Sequence, residues 1–493
     1  MSSRRSFRGV AALVALLLGL AAGACSSSKP QRPHRPDLPT RIGGKRTLIV
    51  SMDAVPFTAI DRLARADGAR PFRDLSPPVP LLSSFPSSTT LAFTGIFEPF
   101  GLERPPGYEA RFYDLDLGRV RGGGLLSYQK IRFSWREFFD WKTHGLFGKW
   151  VSYVLPGRFA RQEVRRAVEA FLESDHDPYF VYIGATDGVA HLHGPGGFEN
   201  VFLELERELR VARSREDFFT VVLSDHGVGP VEDRAPALRN VRKAVRRTLR
   251  AAGYRISSRA GDDRVALVPF GLLSSFAIFG ASERSGDLAE VLSATDGVSV
   301  CAAPDGDGWV VRDGEELARI ERRGAADSSQ WRYQVVAGDP LEYQDLAGAW
   351  RDSSEWLART AERRFPDALH RIARSFDLVE NPASALCSTS AGHMFGPWTT
   401  DLVGRLTVGA LRWTHGALER PDTWGFFMTD HPHLLREGAV RFDEALVGLV
   451  AGTAREPAPR PRSGSTSGAA AAPRGSARLA PPSGTERACE QLR

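Results

Sequence analysis

The amino-acid sequence predicts an α/β fold, in which a mostly parallel central sheet lies between two layers of helices and carries a small inserted α+β subdomain. The first observation is three apolar runs, at 47–52, 179–183 and 218–223, each followed within four residues by an acidic side chain. Such runs are typical of strands buried on both faces, as in a parallel sheet. The second is a helical segment at 199–213 that returns the chain to the last of these runs. The third is the region 255–343, where short β-like runs alternate with Gly and Asp turns.

Length and composition are those of a soluble globular protein. The chain has 493 residues, of which 42% are hydrophobic and 25% charged, which suits one large α/β domain with an insertion. The formal net charge is +5, and the basic residues are scattered apart from one concentration at 239–250 with apolar residues at helical spacing. We interpret this segment as an amphipathic helix with a solvated basic face. Because no aromatic residues interleave with it, no nucleic-acid-binding surface is evident.

Both ends of the chain are expected to lie outside the folded domain. Arginines near the start, an apolar stretch at 10–20 and small residues before Cys25 predict an export signal at 1–25. The sequence around Cys25 resembles a lipoprotein processing site, so we expect membrane association through a lipid on Cys25, with simple cleavage as the alternative. The protein would then be a periplasmic or outer-membrane lipoprotein of a bacterium. We interpret 26–44 as a linker and the Pro- and Ser-rich residues 454–493 as a disordered tail.

Between these ends, the segments 45–254 and 344–453 are predicted to form the main domain around the insert 255–343. Within and after the insert, the sequence predicts a helical piece at 315–322 and a longer helical stretch at 345–374. A disulfide between Cys301 and Cys387 is permissible outside the cytoplasm, but spacing alone does not establish it.

Two segments near the amino end of the main domain carry candidate reactive groups. Asp53 follows the first apolar run, where a carboxylate serves either as a metal ligand or as a helix N-cap. In the hydroxyl-rich segment 84–90, a helix is expected to start near Thr89. Helix starts suit anions, and a hydroxyl there becomes a nucleophile if a cation lowers its pKa. The alternative for these hydroxyls is an ordinary Ser/Thr N-cap.

The remaining candidate metal ligands are two aspartates, Asp187 and Asp225, and several histidines. Asp187 and His191 lie four residues apart across a strand-to-helix corner, where one turn brings both to a single ion. Asp225 and His226 end the third apolar run before a glycine, in a triplet that also occurs as an ordinary turn. Either His393 or His415 completes the set, and we prefer His415 because it lies in a Gly-flanked turn before a strand. Carboxylate oxygen with imidazole nitrogen suits zinc, and six ligands divide naturally between two ions.

Taken together, these motifs resemble the alkaline phosphatase superfamily, most closely its type I phosphodiesterase/nucleotide pyrophosphatase branch. The matching segments are Asp53, Phe85–Thr89, Asp187–His191 with Gly194-Pro195, Ser224–Gly227 and Thr414–Gly416. They span roughly 45–430 and exclude the insert and the tail.

The resemblance implies an alkaline phosphatase-like fold and an exported two-zinc phosphoric-ester hydrolase, similar to a phosphodiesterase or nucleotide pyrophosphatase. It divides the six ligands between two zinc ions, with other divalent metals as possible substitutes: Asp53, Asp225 and His226 for one, which also contacts Thr89, and Asp187, His191 and His415 for the other. It also implies that Thr89 is the nucleophile and forms a phosphothreonine intermediate, which water on the second zinc hydrolyses. Thr90 and Ser84 are less suitable stand-ins.

The substrate stays open at this point. The asparagine-bearing phosphate-binding segment of nucleotide pyrophosphatases is not recognisable, since Tyr113 and Asp114 occupy the corresponding region without matching it. A phosphomonoesterase, phosphonate hydrolase or sulfatase-type hydrolase on the same fold is an alternative, although the sulfatase nucleophile motif does not occur. A non-catalytic cell-envelope binding protein is a third hypothesis, which the complete set of six ligands and a hydroxyl disfavours.

Overall fold

The computed structural model describes residues 41, 44–65, 72–122, 133–142, 155–230, 236–271, 273–324, 329–397 and 411–451. The predicted export signal 1–25 with Cys25, nearly all of the 26–44 linker and the 454–493 tail lie outside these residues. Within the described ranges, no helix is both long and apolar enough to cross a membrane.

The strands, in chain order, are β1 (Arg46–Met52), β2 (Val79–Leu82), β3 (Arg111–Asp114), β4 (Arg119–Gly122), β5 (Trp141–Lys142), β6 (Tyr179–Ile183), β7 (Phe218–Ser224), β8 (Arg239–Asn240), β9 (Arg255–Ser257), β10 (Arg264–Pro269), β11 (Ser275–Phe279), β12 (Val298–Asp305), β13 (Gly308–Asp313), β14 (Glu316–Arg323), β15 (Gln330–Ala337), β16 (Arg351–Asp352), β17 (Ala385–Thr389), β18 (His393–Met394), β19 (Trp424–Thr429) and β20 (Val440–Arg441).

The α-helices are α1 (Phe57–Arg65), α2 (Thr89–Phe97), α3 (Ser134–Glu137), α4 (Pro156–Leu172), α5 (Ala185–His193), α6 (Glu199–Arg213), α7 (Arg242–Ala251), α8 (Ser285–Ser293), α9 (Ser353–Thr360), α10 (Ala368–Asp377), α11 (Arg420–Thr423) and α12 (Val447–Ala451).

The central sheet has seven strands in the order β20-β2-β19-β7-β1-β6-β5. Only β19 is antiparallel to its neighbours, β2 and β7, while every other adjacent pair in this sheet is parallel. The three predicted apolar runs become β1, β6 and β7, which lie side by side. The predicted mostly parallel sheet is therefore confirmed.

Alternate residues of the central strands face two different helical layers. On β1, Leu48 and Val50 belong to a buried cluster with residues of α1, α4 and α6. Ile49, which points the opposite way, belongs to a cluster with residues of α2, α3 and α10. This alternation, with period two, gives the predicted three-layer α/β/α arrangement.

A second sheet has nine strands in the order β16-β15-β14-β13-β12-β17-β11-β10-β9. Its strands come from 255–389 and thus extend past the predicted insert 255–343, because β17 lies in its centre between β12 and β11. Ala266 and Val300 of this sheet share one buried cluster with Ile49 of the central sheet. The two sheets therefore share a core. The sequence of a strand as short as β17 does not indicate which strands it pairs with, so its place in the second sheet could not be predicted.

One predicted helix is wrong, and a predicted helical stretch is divided. The segment predicted as a helix at 315–322 is strand β14, which pairs with β13 on one side and β15 on the other. Its Ala318 and Ile320 are buried two residues apart, so sheet packing overrides the helix propensity of its Glu and Arg residues. The predicted helical stretch at 345–374 contains the two separate helices α9 and α10, and strand β16 precedes them.

Cys301 and Cys387 form a disulfide within the second sheet. The two residues lie directly opposite each other on β12 and β17, with Cα atoms 4.1 Å apart across a sequence separation of 86. The strand register therefore decides a pairing that the spacing of the cysteines left open.

Candidate metal centre and nucleophile

The carboxyl ends of β1 and β7 place two carboxylates side by side. Met52 is opposite Ser224 in the parallel register, so the next residue of each strand, Asp53 and Asp225, emerges at the same edge of the sheet. The backbone N–H of Ala54 donates to Asp225 Oδ1 over 3.1 Å, which links the two strand ends directly.

Asp53, Asp225 and His226 form a first triad, in which one ligand atom from each residue lies within 4.8 Å of the others. Nε2 of His226 is 3.5 Å from Asp53 Oδ1 and 3.5 Å from Asp225 Oδ2, and all three side chains are buried. Asp225 Oδ1 accepts two backbone N–H groups, whereas Oδ2 has no hydrogen-bond donor in the described part of the chain. A buried carboxylate oxygen without a donor fits coordination to a cation.

Asp187, His191 and His415 form a second triad by the same distance criterion. Asp187 and His191 lie one turn apart on α5, where His191 Nε2 is 3.2 Å from Asp187 Oδ1. His415 comes from a distant loop, and its Nε2 is 3.6 Å from the same oxygen. The two triads adjoin, since the rings of His226 and His415 stack with centroids 4.0 Å apart.

All three histidines are held in the same tautomer by backbone carbonyls. Nδ1 of His191, His226 and His415 lies 3.0, 2.9 and 2.8 Å from a carbonyl oxygen. The carbonyls belong, in that order, to Trp413, Gly227 and Ser87. A carbonyl only accepts, so each Nδ1 carries a proton and each Nε2 turns its lone pair toward the carboxylates when the ring is neutral. This is how metal-ligating histidines are oriented in proteins.

Like charges crowd the first triad. Burial, and then the charges of Asp225 and Asp187, raise the pKa of Asp53 well above its usual value. Burial also raises the pKa of Asp225 to about 7. Burial, and then the charge of His415, hold the pKa of His226 well below its usual value. Divalent cations would offset the carboxylate repulsion and use neutral imidazole, so the donor set suits two such ions, with zinc favoured by its mixture of nitrogen and oxygen.

Thr89 is the first residue of α2 and faces the first triad. Its Oγ1 lies 3.1 Å from Asp53 Oδ1 and 3.4 Å from His226 Nε2. Every residue from Leu81 to Phe97 is buried except Thr89. Thr89 is therefore the only half-buried residue of this segment, and its hydroxyl lies beside the candidate metal ligands.

The other candidates from the sequence have different surroundings. Ser84 is buried and donates to the carbonyl of Pro86, while Thr90 is buried behind Thr89. His393 is half-buried on β18, where its Nδ1 faces the carbonyl of Ala391 at 3.2 Å. The structure brings His415, and not His393, to the second triad.

Tyr182 is a site residue that was not predicted from the sequence. Its hydroxyl donates to Asp53 Oδ2, and its side chain is buried. Burial, and then the charge of Asp53, raise the pKa of Tyr182 well above its usual value, so this residue stays protonated and orients the Asp53 carboxylate. The available signal was its position on β6, where period two turns it toward α2 and its Phe93.

The fold and the site define an α/β protein whose sheet edge carries a candidate binuclear metal centre beside a helix-terminal threonine. No family model matches the chain, and no curated protein matches it. Solved structures do match it at low identity. Human ectonucleotide pyrophosphatase/phosphodiesterase 5 is 11% identical, with a TM-score of 0.43, and the match covers 85% of this chain and 97% of that chain.

Two further matches come from other organisms. The murine ectonucleotide pyrophosphatase/phosphodiesterase 5 is 11% identical, with a TM-score of 0.41 and coverage of 83% and 95% of the two chains. Phosphonoacetate hydrolase from Sinorhizobium meliloti, in complex with phosphonoformate, is 14% identical, with a TM-score of 0.45 and coverage of 83% and 96%.

Proposed function

We propose that this chain is an exported two-zinc phosphoric-ester hydrolase, similar to a phosphodiesterase or nucleotide pyrophosphatase, that acts through a phosphothreonine intermediate on Thr89. One observation carries the proposal. Thr89, the one residue of a buried helix start that is only half-buried, has its hydroxyl 3.1 Å from a ligand oxygen of the first triad, and the second triad adjoins the first.

Each triad would hold one divalent cation through the carboxylate oxygens and the Nε2 atoms described above. Two bound cations lower the pKa of an oxygen that they contact and offset the negative charge of phosphoryl oxygens. The tautomers fixed by backbone carbonyls prepare all three imidazoles for this role without rearrangement.

Thr89 would carry the covalent step. As Oγ1 attacks phosphorus, the Oγ1–P bond forms, the bond from phosphorus to the leaving oxygen breaks, and the proton of Oγ1 passes through solvent to the leaving group. Water then attacks the same phosphorus and the Oγ1–P bond breaks; one proton of that water returns to the Thr89 oxygen, and the product released is a phosphomonoester from a diester or phosphate from a monoester. Asp53 orients Oγ1 for attack through its hydrogen bond, and Tyr182 holds Asp53 in turn.

The start of α2 favours an anionic substrate. The first N–H groups of a helix have no intrahelical acceptor and carry a partial positive charge. Ser88, the N-cap residue, makes no side-chain cap hydrogen bond, so its hydroxyl does not occupy these donors. A phosphoryl group that reaches Oγ1 would therefore meet backbone donors.

Export is proposed from the amino-terminal signal pattern, with lipid attachment at Cys25. The disulfide between Cys301 and Cys387 supports an oxidising compartment, because disulfides persist there and are rare in reducing cytoplasm.

The test is hydrolysis by zinc-loaded protein of a panel of nitrophenyl phosphodiesters, phosphomonoesters, phosphonates and sulfates. We expect a phosphodiester to be preferred and Thr89→Ala to abolish turnover, while Thr90→Ala, its buried neighbour, retains it. In the wild type, rapid quenching should trap one covalent adduct on the peptide that contains Thr89: a phosphoryl group from a monoester, or a phosphoryl group that keeps its remaining ester from a diester. Full activity of Thr89→Ala with folding intact would rule out the nucleophile, and preference for sulfate would rule out the substrate class.

A further inference from the structure

Arg371 of α10 is buried completely, and within the described part of the chain its guanidinium donates only to neutral oxygens. Its hydrogen bonds, between 2.7 and 3.5 Å, go to the carbonyls of Ser83, Ser84, Pro366, Ala417 and Leu418 and to the hydroxyls of Ser87 and Thr423. Burial lowers the pKa of Arg371 to about 9, which leaves the side chain charged at neutral pH.

The acceptors of Arg371 belong chiefly to two segments of the site. The nucleophile segment, 83–89, leads into Thr89, and the histidine segment, 414–418, carries His415. Nε and Nη2 of Arg371 bind the carbonyls of the nucleophile segment at 2.9 and 3.1 Å. Nη1 binds the carbonyl of Leu418, in the histidine segment, at 2.7 Å. One planar side chain thus holds the two segments together.

Ser87 is the point at which the two segments meet. Its carbonyl accepts Nδ1–H of His415 at 2.8 Å, which orients this ligand of the second triad. Its hydroxyl accepts from Arg371 at 3.2 Å and lies 3.2 Å from the carbonyl of Ala417. Thr89 follows two residues later, so a shift of Ser87 would move both the nucleophile and a metal ligand.

We propose that Arg371 is a positioning residue that fixes the nucleophile segment against the histidine segment, so that Thr89 and the second metal site are assembled as one unit. This inference rests on the proposed function for its catalytic consequence. Its structural consequence is independent of catalysis: loss of Arg371 weakens metal binding at the second triad and spares the first, whose ligands follow β1 and β7.

Arg441 supplies a matched control, because it is another arginine buried in the same domain. Its Nε binds Asp367 Oδ2 at 2.6 Å, and its Nη1 binds Glu444 at 2.9 Å. All of its hydrogen bonds in the described chain lie outside the nucleophile and histidine segments. Loss of Arg441 therefore reports what removal of a buried arginine does to the scaffold alone.

The experiment compares Arg371→Lys with Arg441→Lys in the full chain, using equilibrium Zn2+ titration, thermal unfolding, and kcat and KM for the preferred ester. Lysine keeps the charge and loses the planar fork. We expect Arg371→Lys to weaken one of the two zinc sites by roughly 10–100-fold and to lower kcat more than it changes KM. We expect Arg441→Lys to lower the Tm with both zinc sites and kcat unchanged.

Two further variants identify the affected site and guard against misfolding. In a His415→Ala background, which leaves the first triad alone, Arg371→Lys should not change the remaining zinc affinity. Ser87→Ala, a smaller change, should weaken the same zinc site as Arg371→Lys. In the double variant, zinc affinity at that site should be little lower than in Arg371→Lys alone.

The proposal would be overturned if Arg371→Lys weakened both zinc sites equally, or if its effect on zinc affinity were no larger than that of Arg441→Lys. Arg371 would then only support the fold. If the wild type binds two zinc ions and hydrolyses no ester, the proposed function fails, while the zinc titrations still decide the role of Arg371.

Discussion

The two triads share their chemistry and differ in how the fold builds them. In the first, Asp53 and Asp225 directly follow β1 and β7, so the register of two paired strands sets their separation. In the second, one turn of α5 supplies two ligands, and the third arrives from the loop around His415, far along the chain. A site at paired strand ends is positioned by the sheet, whereas a site closed by a loop depends on contacts such as those of Arg371. The second triad should therefore be the easier one to weaken selectively.

Among the changes that test the difference between the two triads, the largest loss is expected from Asp225→Asn. The amide keeps the shape and the acceptor for Ala54 N–H, but removes the charge of a ligand that faces Thr89 and His226. Zinc at the first triad should be lost, and kcat should fall by on the order of 10²–10³. Zinc stoichiometry and steady-state kinetics measure this.

Asp430→Asn is the control for that change, since Asp430 binds the backbone of Thr220 on β7, the strand that Asp225 follows. Unchanged zinc content in Asp225→Asn would contradict the first triad as a metal site.

His415→Ala sharpens the contrast between the triads. Removing the loop-borne ligand should reduce bound zinc from two ions to one and lower kcat severely, with the first triad still loaded. His393→Ala, the alternative histidine, should retain both ions. Metal analysis of the two purified variants distinguishes them. Loss of one ion in His393→Ala, with both ions retained in His415→Ala, would make His393 the metal ligand instead of His415.

Tyr182→Phe is expected to have a moderate effect confined to the first triad. Loss of the hydroxyl frees the Asp53 carboxylate to rotate, and loss of such an outer hydrogen bond typically costs 10–100-fold in metal affinity. Competition with a zinc chelator measures this affinity. Tyr179→Phe, on the opposite face of the same strand, should leave both sites unchanged, and a weakened second triad in Tyr182→Phe would argue against separate sites.

The smallest effect on the site is expected from removing the disulfide. Cys301 and Cys387 pack in the buried cluster that contains residues of α7 and α8, on the opposite face of the second sheet from the core shared with the central sheet. Replacing both by serine should lower the free energy of unfolding by about 2–4 kcal/mol, measured by denaturant titration. Zinc content and kcat of the folded variant should not change, and a lost ion would tie the disulfide to the second triad.

Strand-borne features could be predicted from the sequence because their signal is local. The apolar runs that became β1, β6 and β7 each end near an acidic residue, and parallel pairing brings such ends together whatever the rest of the chain does. Asp187 and His191 were predictable for a similar reason, since four residues on a helix place both on one face.

The features that escaped prediction depend on distant partners. In the sequence, Tyr182 and Arg371 look like ordinary core or surface residues. Only the fold places Tyr182 beside Asp53 and Arg371 beside Ser87. Strand β14 carries helix-favouring residues, and β17 joins the second sheet from outside the predicted insert, because pairing across the sheet decides both.

A crystal structure of zinc-soaked protein with anomalous data collected at the zinc edge tests the central claim most directly. We predict two zinc ions about 3.5–4 Å apart, one on each triad, with Thr89 Oγ1 within coordination distance of the ion on Asp53, Asp225 and His226. A single ion, two ions bound by other residues, or a Thr89 hydroxyl turned away from both would contradict it.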